Sequence, residues 1–213
     1  MRTASCDLMT EYGEFRLHGF ADPHSGQEHA ALVLGDVSGS IPVLTRVHSE
    51  CLTGDTLGSL HCDCGAQFKS AMNAIAAEGR GALLYLRQEG RGIGLVNKIR
   101  AYALQRAGAD TVDANHLLGF PDDLRDYGIA ARMLAHLGVS SVRLMTNNPA
   151  KLASLKTLGV SIAERIPLVS QPGVHNRSYL MTKSKRMGHL LSTTPQTAAP
   201  SSVQFRTSID HQL

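Results

Sequence analysis

The sequence predicts an α/β protein, one sheet flanked by packed helices, in a single domain of a 213-residue chain. Three observations carry that expectation. Short apolar, strand-like runs alternate with segments whose apolar residues recur at helical spacing. Glycines close most of the helical segments. Three strand-like runs finish in polar clusters, and open α/β sheets bind ligands beyond the carboxyl ends of their strands.

Taken in order, His29 to Asp36 and Ile41 to Val47 read as strands around the turn Val37-Ser38-Gly39-Ser40. No element is assigned before His29. A Gly-rich loop bearing cysteines follows, then Phe68, Ala71, Met72 and Ile75 at helical spacing, with Gly79 and Gly81 ending that helix. Ala82 to Leu86 is a short apolar strand that runs directly into Arg87-Gln88-Glu89-Gly90-Arg91-Gly92-Ile93-Gly94. A helix over Asn97 to Ala107 closes at Gly108, and Ala130, Met133, Leu134 and Leu137 form another apolar stripe stopped by Gly138. Ser141 to Met145 is strand-like, and Pro149 opens a helix carrying Leu152 and Leu155. Val160 to Val169 is the last strand and Tyr179 to Leu191 the last helix. From Ser192 the chain is rich in Ser, Thr, Pro, Ala and Gln without periodicity. The domain is therefore expected over 1–191, with a disordered tail over 192–213.

A hydrophobic fraction of 43% and ordinary charge content suit a globular chain with a sizeable core. No apolar run approaches the ~20 residues of a membrane span, and Met1-Arg2-Thr3-Ala4-Ser5 lacks the apolar core of a signal peptide. A cytoplasmic location is expected, where thiols stay reduced and clustered cysteines favour metal over disulfide. The net charge of +3, with no long basic run, argues against nucleic acid while tolerating a polyphosphate ligand.

Cys51, Cys62 and Cys64 fall within fourteen residues, close behind Arg46-Val47-His48-Ser49-Glu50. Three thiolates make an incomplete zinc shell, and a zinc with an open position can acidify a water to a pKa of about 7. Were His48, His61 or Asp63 to supply a fourth ligand, the site would be closed and structural; spacing alone leaves both readings open. Cys6 reads as a lone free thiol.

The Glu89–Gly94 turn places glycines and Arg91 just before a helix, an arrangement that suits an anion, with Arg87, Lys98 and Arg100 close by. Read alone, Asp122-Asp123-Leu124-Arg125-Asp126-Tyr127 is a solvated helix start whose acids complement the dipole. Thr146, Asn147 and Asn148 before Pro149 read as a helix cap or a binding turn, and Lys151 as solvated or aimed at an anion.

These motifs occur together and in order: Arg46-Val47-His48-Ser49-Glu50-Cys51, Cys62-Asp63-Cys64-Gly65, Arg87 through Gly94, Asp113-Ala114-Asn115-His116, and Thr146-Asn147-Asn148-Pro149. Over roughly residues 8 to 191 the chain resembles GTP cyclohydrolase II, the family that commits GTP to riboflavin synthesis. The resemblance implies a mixed sheet flanked by helices and one catalytic zinc per subunit on Cys51, Cys62 and Cys64. It also implies Mg²⁺ on the triphosphate and a homodimer. The family opens guanine at C8, releasing formate and pyrophosphate and leaving a diamino-ribosylamino-pyrimidinone 5′-phosphate. By the same resemblance Arg46, Val47, His48, Ser49, Glu50, Gln67, Glu89, Gly90, Arg91, Thr111, Thr146 and Lys151 contact GTP. Tyr102 stands near the reacting ring, Asp123 is the proton acceptor, and Arg125 is the proposed nucleophile toward the α-phosphate. The partner domain of bifunctional relatives has no room here, so a monofunctional form is expected.

A guanidinium is always protonated, so Arg125 is physically easier to read as a transition-state clamp oriented by Asp123. Two rivals remain from the sequence: a relative that opens the ring but keeps the formyl group, and a regulatory protein that binds nucleotide around a structural zinc. A zinc-stabilised nucleic-acid binder is weaker still, for want of a basic patch.

Overall fold

The structure, a computed structural model, describes residues 2–168 and 173–190. Seven strands form one mixed sheet, in the order β1-β2-β3-β5-β4-β6-β7. These are β1 (Arg2–Thr10), β2 (Gly13–Ala21), β3 (Glu28–Leu34), β4 (Val43–Ser49), β5 (Gly81–Leu86), β6 (Ser141–Met145) and β7 (Ser161–Ile166). From β1 to β5 along the sheet the pairings are antiparallel; β5, β4, β6 and β7 run parallel. The helices are α1 (Leu52–Asp55), α2 (Cys64–Glu78), α3 (Gly94–Arg106), α4 (Thr111–Leu117), α5 (Gly128–His136), α6 (Pro149–Thr157) and α7 (Arg177–Met187).

Strand residues alternate between two apolar layers, as a period of two dictates. Phe20, Val33, Val47, Leu84 and Leu144 pack on one face against Ile129, Ala130, Met133 and Leu134 of α5 and Leu155 of α6. Phe15, Leu44, Leu83 and Met145 pack on the other against Ala71, Met72 and Ile75 of α2. β4 and β5 are buried on both sides; β5 reads as a continuous apolar run, whereas β4 carries Thr45, Arg46 and His48 into the interior.

The α/β sheet with flanking helices is the predicted architecture, but the N-terminal segment corrects the reading. Residues 2–21 form a hairpin, β1 and β2, where no element was assigned. β1 is an edge strand whose side chains from Thr3 to Met9 are all exposed, so it carries no apolar alternation to betray it. It is held by backbone pairing to β2, across a turn closed by Gly13 at φ 117°. The Asp122–Tyr127 segment is the second correction: it is irregular, and the helix begins only at Gly128. α4 was also unassigned, and α3 starts three residues before Asn97. Strand β7 ends at Ile166 and α7 at Met187; Val169, Leu191 and the 192–213 tail lie outside the described residues.

Candidate active site

Because β4, β5 and β6 are parallel neighbours, their carboxyl ends share one edge of the sheet. Ser49-Glu50-Cys51, Gln88-Glu89-Gly90-Arg91 and Thr146-Asn147-Asn148 all line one cleft there. The cleft is partly open to solvent.

Cys51 follows β4 directly, and the single turn α1 folds back over it. Asp55 makes that turn: its carboxylate accepts from the Cys51 amide at 2.9 Å, from the Tyr85 hydroxyl at 2.9 Å and from His48 Nε2 at 3.0 Å. Glu89 anchors the same turn from β5, accepting from the Leu52 amide at 2.7 Å, from the Gly90 amide at 2.8 Å and from Lys98 Nζ at 2.7 Å. Cys62 and Cys64 enter from the start of α2. The approach is so close that a Cβ on Gly54 would lie 2.8 Å from Cys62 Sγ, and one on Gly65 only 2.2 Å from the Gly54 carbonyl oxygen. Only glycine fits at either place.

The three Sγ atoms lie within 4.8 Å of one another, with Cys51 and Cys62 at 3.6 Å. Among the described residues this metal-capable cluster takes in neither His48, His61 nor Asp63. The carboxylate of Asp63 faces Lys183 and Gln67 instead. Three thiols and no fourth protein ligand is the donor set of an open zinc shell, so these residues fit the metal. Hydrogen bonds from Cys62 and Cys64, with Lys98 Nζ at 3.1 Å, favour the thiolate at Cys51. The hydrogen bond with Cys51 in turn pushes Cys62 up to about 11. Cys6 is free and exposed, far from any partner thiol in β1.

Six cations line the cleft, Arg46, Arg91, Lys98, Arg125, Lys151 and Lys183, against the carboxylates of Glu50 and Glu89. Arg46 is buried, donating to the Met145 carbonyl at 2.9 Å and to Gln67 Oε1 at 2.7 Å; burial lowers its pKa to about 10. Arg125 and Asp123 overturn the solvated reading of their segment, with side chains only 14% and 26% exposed. Their fork is bidentate, Nε to Oδ1 at 2.8 Å and Nη2 to Oδ2 at 2.5 Å. Burial lifts Asp123, yet Arg125 more than offsets it and holds the carboxyl below its usual range. Lys151 Nζ donates to the Val47 carbonyl at 2.6 Å, and burial drives its pKa well down. Arg91 takes a left-handed φ of 61°, alone among the described non-glycine residues.

Gln67, Thr111 and Thr146 also line the cleft, and Tyr102 reaches it with its hydroxyl 3.3 Å from Thr53 Oγ1. Val47 turns its side chain into the core and offers only its carbonyl. Arg87 and Arg100 stay on the surface outside the cleft, paired with Glu50 and Asn97. Asn148 is a true cap, accepting from Ala150 and Lys151 amides, and it lines the cleft as well. The sequence reading missed the α7 contribution, Tyr179, Lys183 and, just beyond the helix, His189. The spacing of Tyr179, Lys183 and Met187, four residues apart on one helix face, was the available signal.

Among the described residues, seven buried side-chain polar atoms lack a partner, and six belong to cleft residues: Arg46 Nε, His48 Nδ1, Ser49 Oγ, Gln88 Oε1, Arg91 Nη1 and His189 Nδ1. Native interiors leave few such atoms, so their concentration here is that of a polar site filled by water or a ligand.

An α/β sheet that brings three clustered thiols able to hold a metal and six basic side chains to one cleft is the arrangement of a candidate active site. Comparison with known proteins narrows it. The sequence profile described as GTP cyclohydrolase II matches residues 1–167. A GTP cyclohydrolase-2 from Pseudomonas paraeruginosa is 60% identical over 193 residues, covering 91% of this chain and 94% of its own. Those of Azotobacter vinelandii and Hahella chejuensis are 58% and 59% identical, covering 91% and 89% of this chain and 93% and 92% of theirs. The chain belongs to the GTP cyclohydrolase II family, and it is an enzyme. A solved two-domain 3,4-dihydroxy-2-butanone 4-phosphate synthase from A. baumannii covers 79% of this chain and 39% of its own at TM-score 0.44 and 19% identity, too slight a likeness to bear on function. No helix of the described residues is long and apolar enough to cross a membrane.

Proposed function

We propose that the protein hydrolyses GTP at guanine C8 in a zinc-dependent reaction, releasing formate and pyrophosphate and leaving the diamino-ribosylamino-pyrimidinone 5′-phosphate that enters riboflavin synthesis. One observation carries the reading: the thiol triad forms part of the wall of a cleft that six basic side chains also line and in which buried polar atoms lack a protein partner among the described residues. Zinc on Cys51, Cys62 and Cys64 would supply Lewis acidity and a water acidified enough to add to C8 at neutral pH. Mg²⁺ would arrive with the triphosphate.

The chain's own groups divide the remaining work. Arg46, Arg91 and Lys151 bind phosphate oxygens: Arg46 Nε and Arg91 Nη1 have no partner among the described residues, and Lys151 meets the Val47 carbonyl there but no carboxylate. Arg125 is held protonated by Asp123, which outweighs the downward pull of burial. A guanidinium so held is no nucleophile; it stabilises charge on the α-phosphate while pyrophosphate leaves, and Asp123 orients it. Tyr102 stays protonated because burial raises its pKa, so its hydroxyl can give a proton to the opening ring. Glu89 and Gln67 are already engaged with other side chains or with backbone, so they shape the site, and Ser49 Oγ keeps its capacity for the base. The enzyme acts in the cytoplasm as a homodimer.

The test is GTP turnover with Zn²⁺ and Mg²⁺, following formate, pyrophosphate and product mass, with Cys62→Ala in parallel. Equal formate and pyrophosphate are expected, with formate lost in Cys62→Ala. Pyrophosphate without formate from the intact protein would replace this reading with the formyl-retaining one; bound GTP with neither product would leave a regulatory protein.

A further inference from the structure

The family profile ends at residue 167, yet the cleft is closed by residues beyond it, on α7 and just after. We propose that Lys183 is a positioning residue for the metal centre: its ammonium neutralises the buried Asp63 carboxylate and so holds the corner that carries Cys62 and Cys64. This rests on the zinc reading above.

Asp63 stands between two of the three metal-site cysteines and immediately precedes α2. Its side chain is fully buried, and its oxygens accept from Lys183 Nζ at 2.5 Å and Gln67 Nε2 at 2.5 Å. Three thiolates around a dication leave a net negative charge, and a buried carboxylate next to it is tolerable only with a cation in contact. Lys183 is that cation, brought from 120 residues away. Through Gln67, which also accepts from Arg46 at 2.7 Å, the same pair connects the metal corner to a cleft arginine.

The placement of Lys183 is over-determined. Arg186, one turn on, bridges Asp110 at 2.5 Å and Asp113 at 2.9 Å, tying α7 to α4. The Leu190 amide donates to the Asn147 carbonyl at 2.8 Å, fixing the end of α7 against the turn after β6. Nζ of Lys183 also lies 4.6 Å from the Tyr179 ring centroid. Lys151 makes the contrast: among the described residues it meets the Val47 carbonyl and no carboxylate, so its amine is left for a ligand, whereas the ammonium of Lys183 is already engaged by Asp63.

The experiment measures Zn²⁺ affinity by chelator competition, and the thiolate charge-transfer bands of the Co²⁺-loaded protein, in wild type, K183M, K183R, D63N and K183M/D63N. K183M should bind Zn²⁺ about ten- to a hundredfold more weakly, the usual effect of removing a group that supports a metal ligand. K183R should recover most of the affinity. K183M/D63N should bind better than K183M, because the negative charge that Lys183 offset is gone. Wild-type affinity in K183M overturns the proposal. So does a double variant no better than K183M, which would make the lysine a mere fastener of α7; this comparison holds even if K183M folds poorly. A wild-type protein that binds no Zn²⁺ would defeat the zinc reading itself, a distinct outcome.

Discussion

In the antiparallel half of the sheet, β1 to β3, successive strands end at opposite edges, and no proposed site residue is found there. In the parallel half, β4, β5 and β6 end side by side, and the cleft lies where they do. The ion pairs of the hairpin and of the cleft differ as well, although Arg143 holds Glu78 and Glu164 at the surface of the parallel half. Arg16 and Asp7, in the hairpin, are 47% and 63% exposed, whereas Lys98 and Glu89 are 9% and 8% exposed. One half is stabilised by apolar packing and bears surface charge of little weight. The other keeps buried charges in contact, which is worth little for stability but fixes where groups stand.

The comparison can be broken most forcefully at Phe20, a buried side chain of the hairpin. Phe20→Ala should lower unfolding stability by about 3–5 kcal/mol, read by denaturant titration, while kcat of the folded fraction stays near wild type. A matching fall in kcat would show that the antiparallel half does more than support. Next is Arg125→Lys, which removes the fork. Pyrophosphate release should slow by about 10²–10³-fold, the effect of losing one preorganised charge stabiliser, and formate release by less. Equal slowing of both would argue that Arg125 orders the whole cleft.

Lys151→Met sharpens the contrast through pH. The folded chain holds the Lys151 pKa well below its ordinary 10.5, so the unfolded chain binds the proton more readily. Stability therefore falls as pH drops from about 10.5 toward the folded value. Removing the amine should raise stability at neutral pH, by about 1 kcal/mol, and the gain should vanish above that window. GTP binding should weaken by about 1.5–3 kcal/mol. The smallest effect belongs to Arg16→Ala, which should change stability by less than about 1 kcal/mol and leave turnover untouched; a larger loss would mean that the exposed pairs matter.

Much of the parallel half was legible. Leu83 and Leu84 declare β5, Pro149 opens α6, and the polar runs after β4, β5 and β6 announce a shared edge. The three cysteines announce a metal by spacing. β1 was illegible because an exposed edge strand needs only backbone partners. Asp123 and Arg125, only two residues apart, misled because charged residues in sequence look solvated, and burying their fork depends on segments packed over it from elsewhere in the chain. Lys183 was invisible for the same reason, its carboxylate lying 120 residues away.

The sequence by itself determined the alternation of strands and helices, the thiol triad, and the family motifs that name a chemistry. These are local facts, set by periodicity, by chain stiffness and by residue type. Only the tertiary structure decided which strands run parallel, which cations keep a carboxylate and which are left for a ligand, and that Gly54 and Gly65 must be glycine. Those depend on contacts between distant segments, whose energies arise only when water has been excluded and the partners fixed in place.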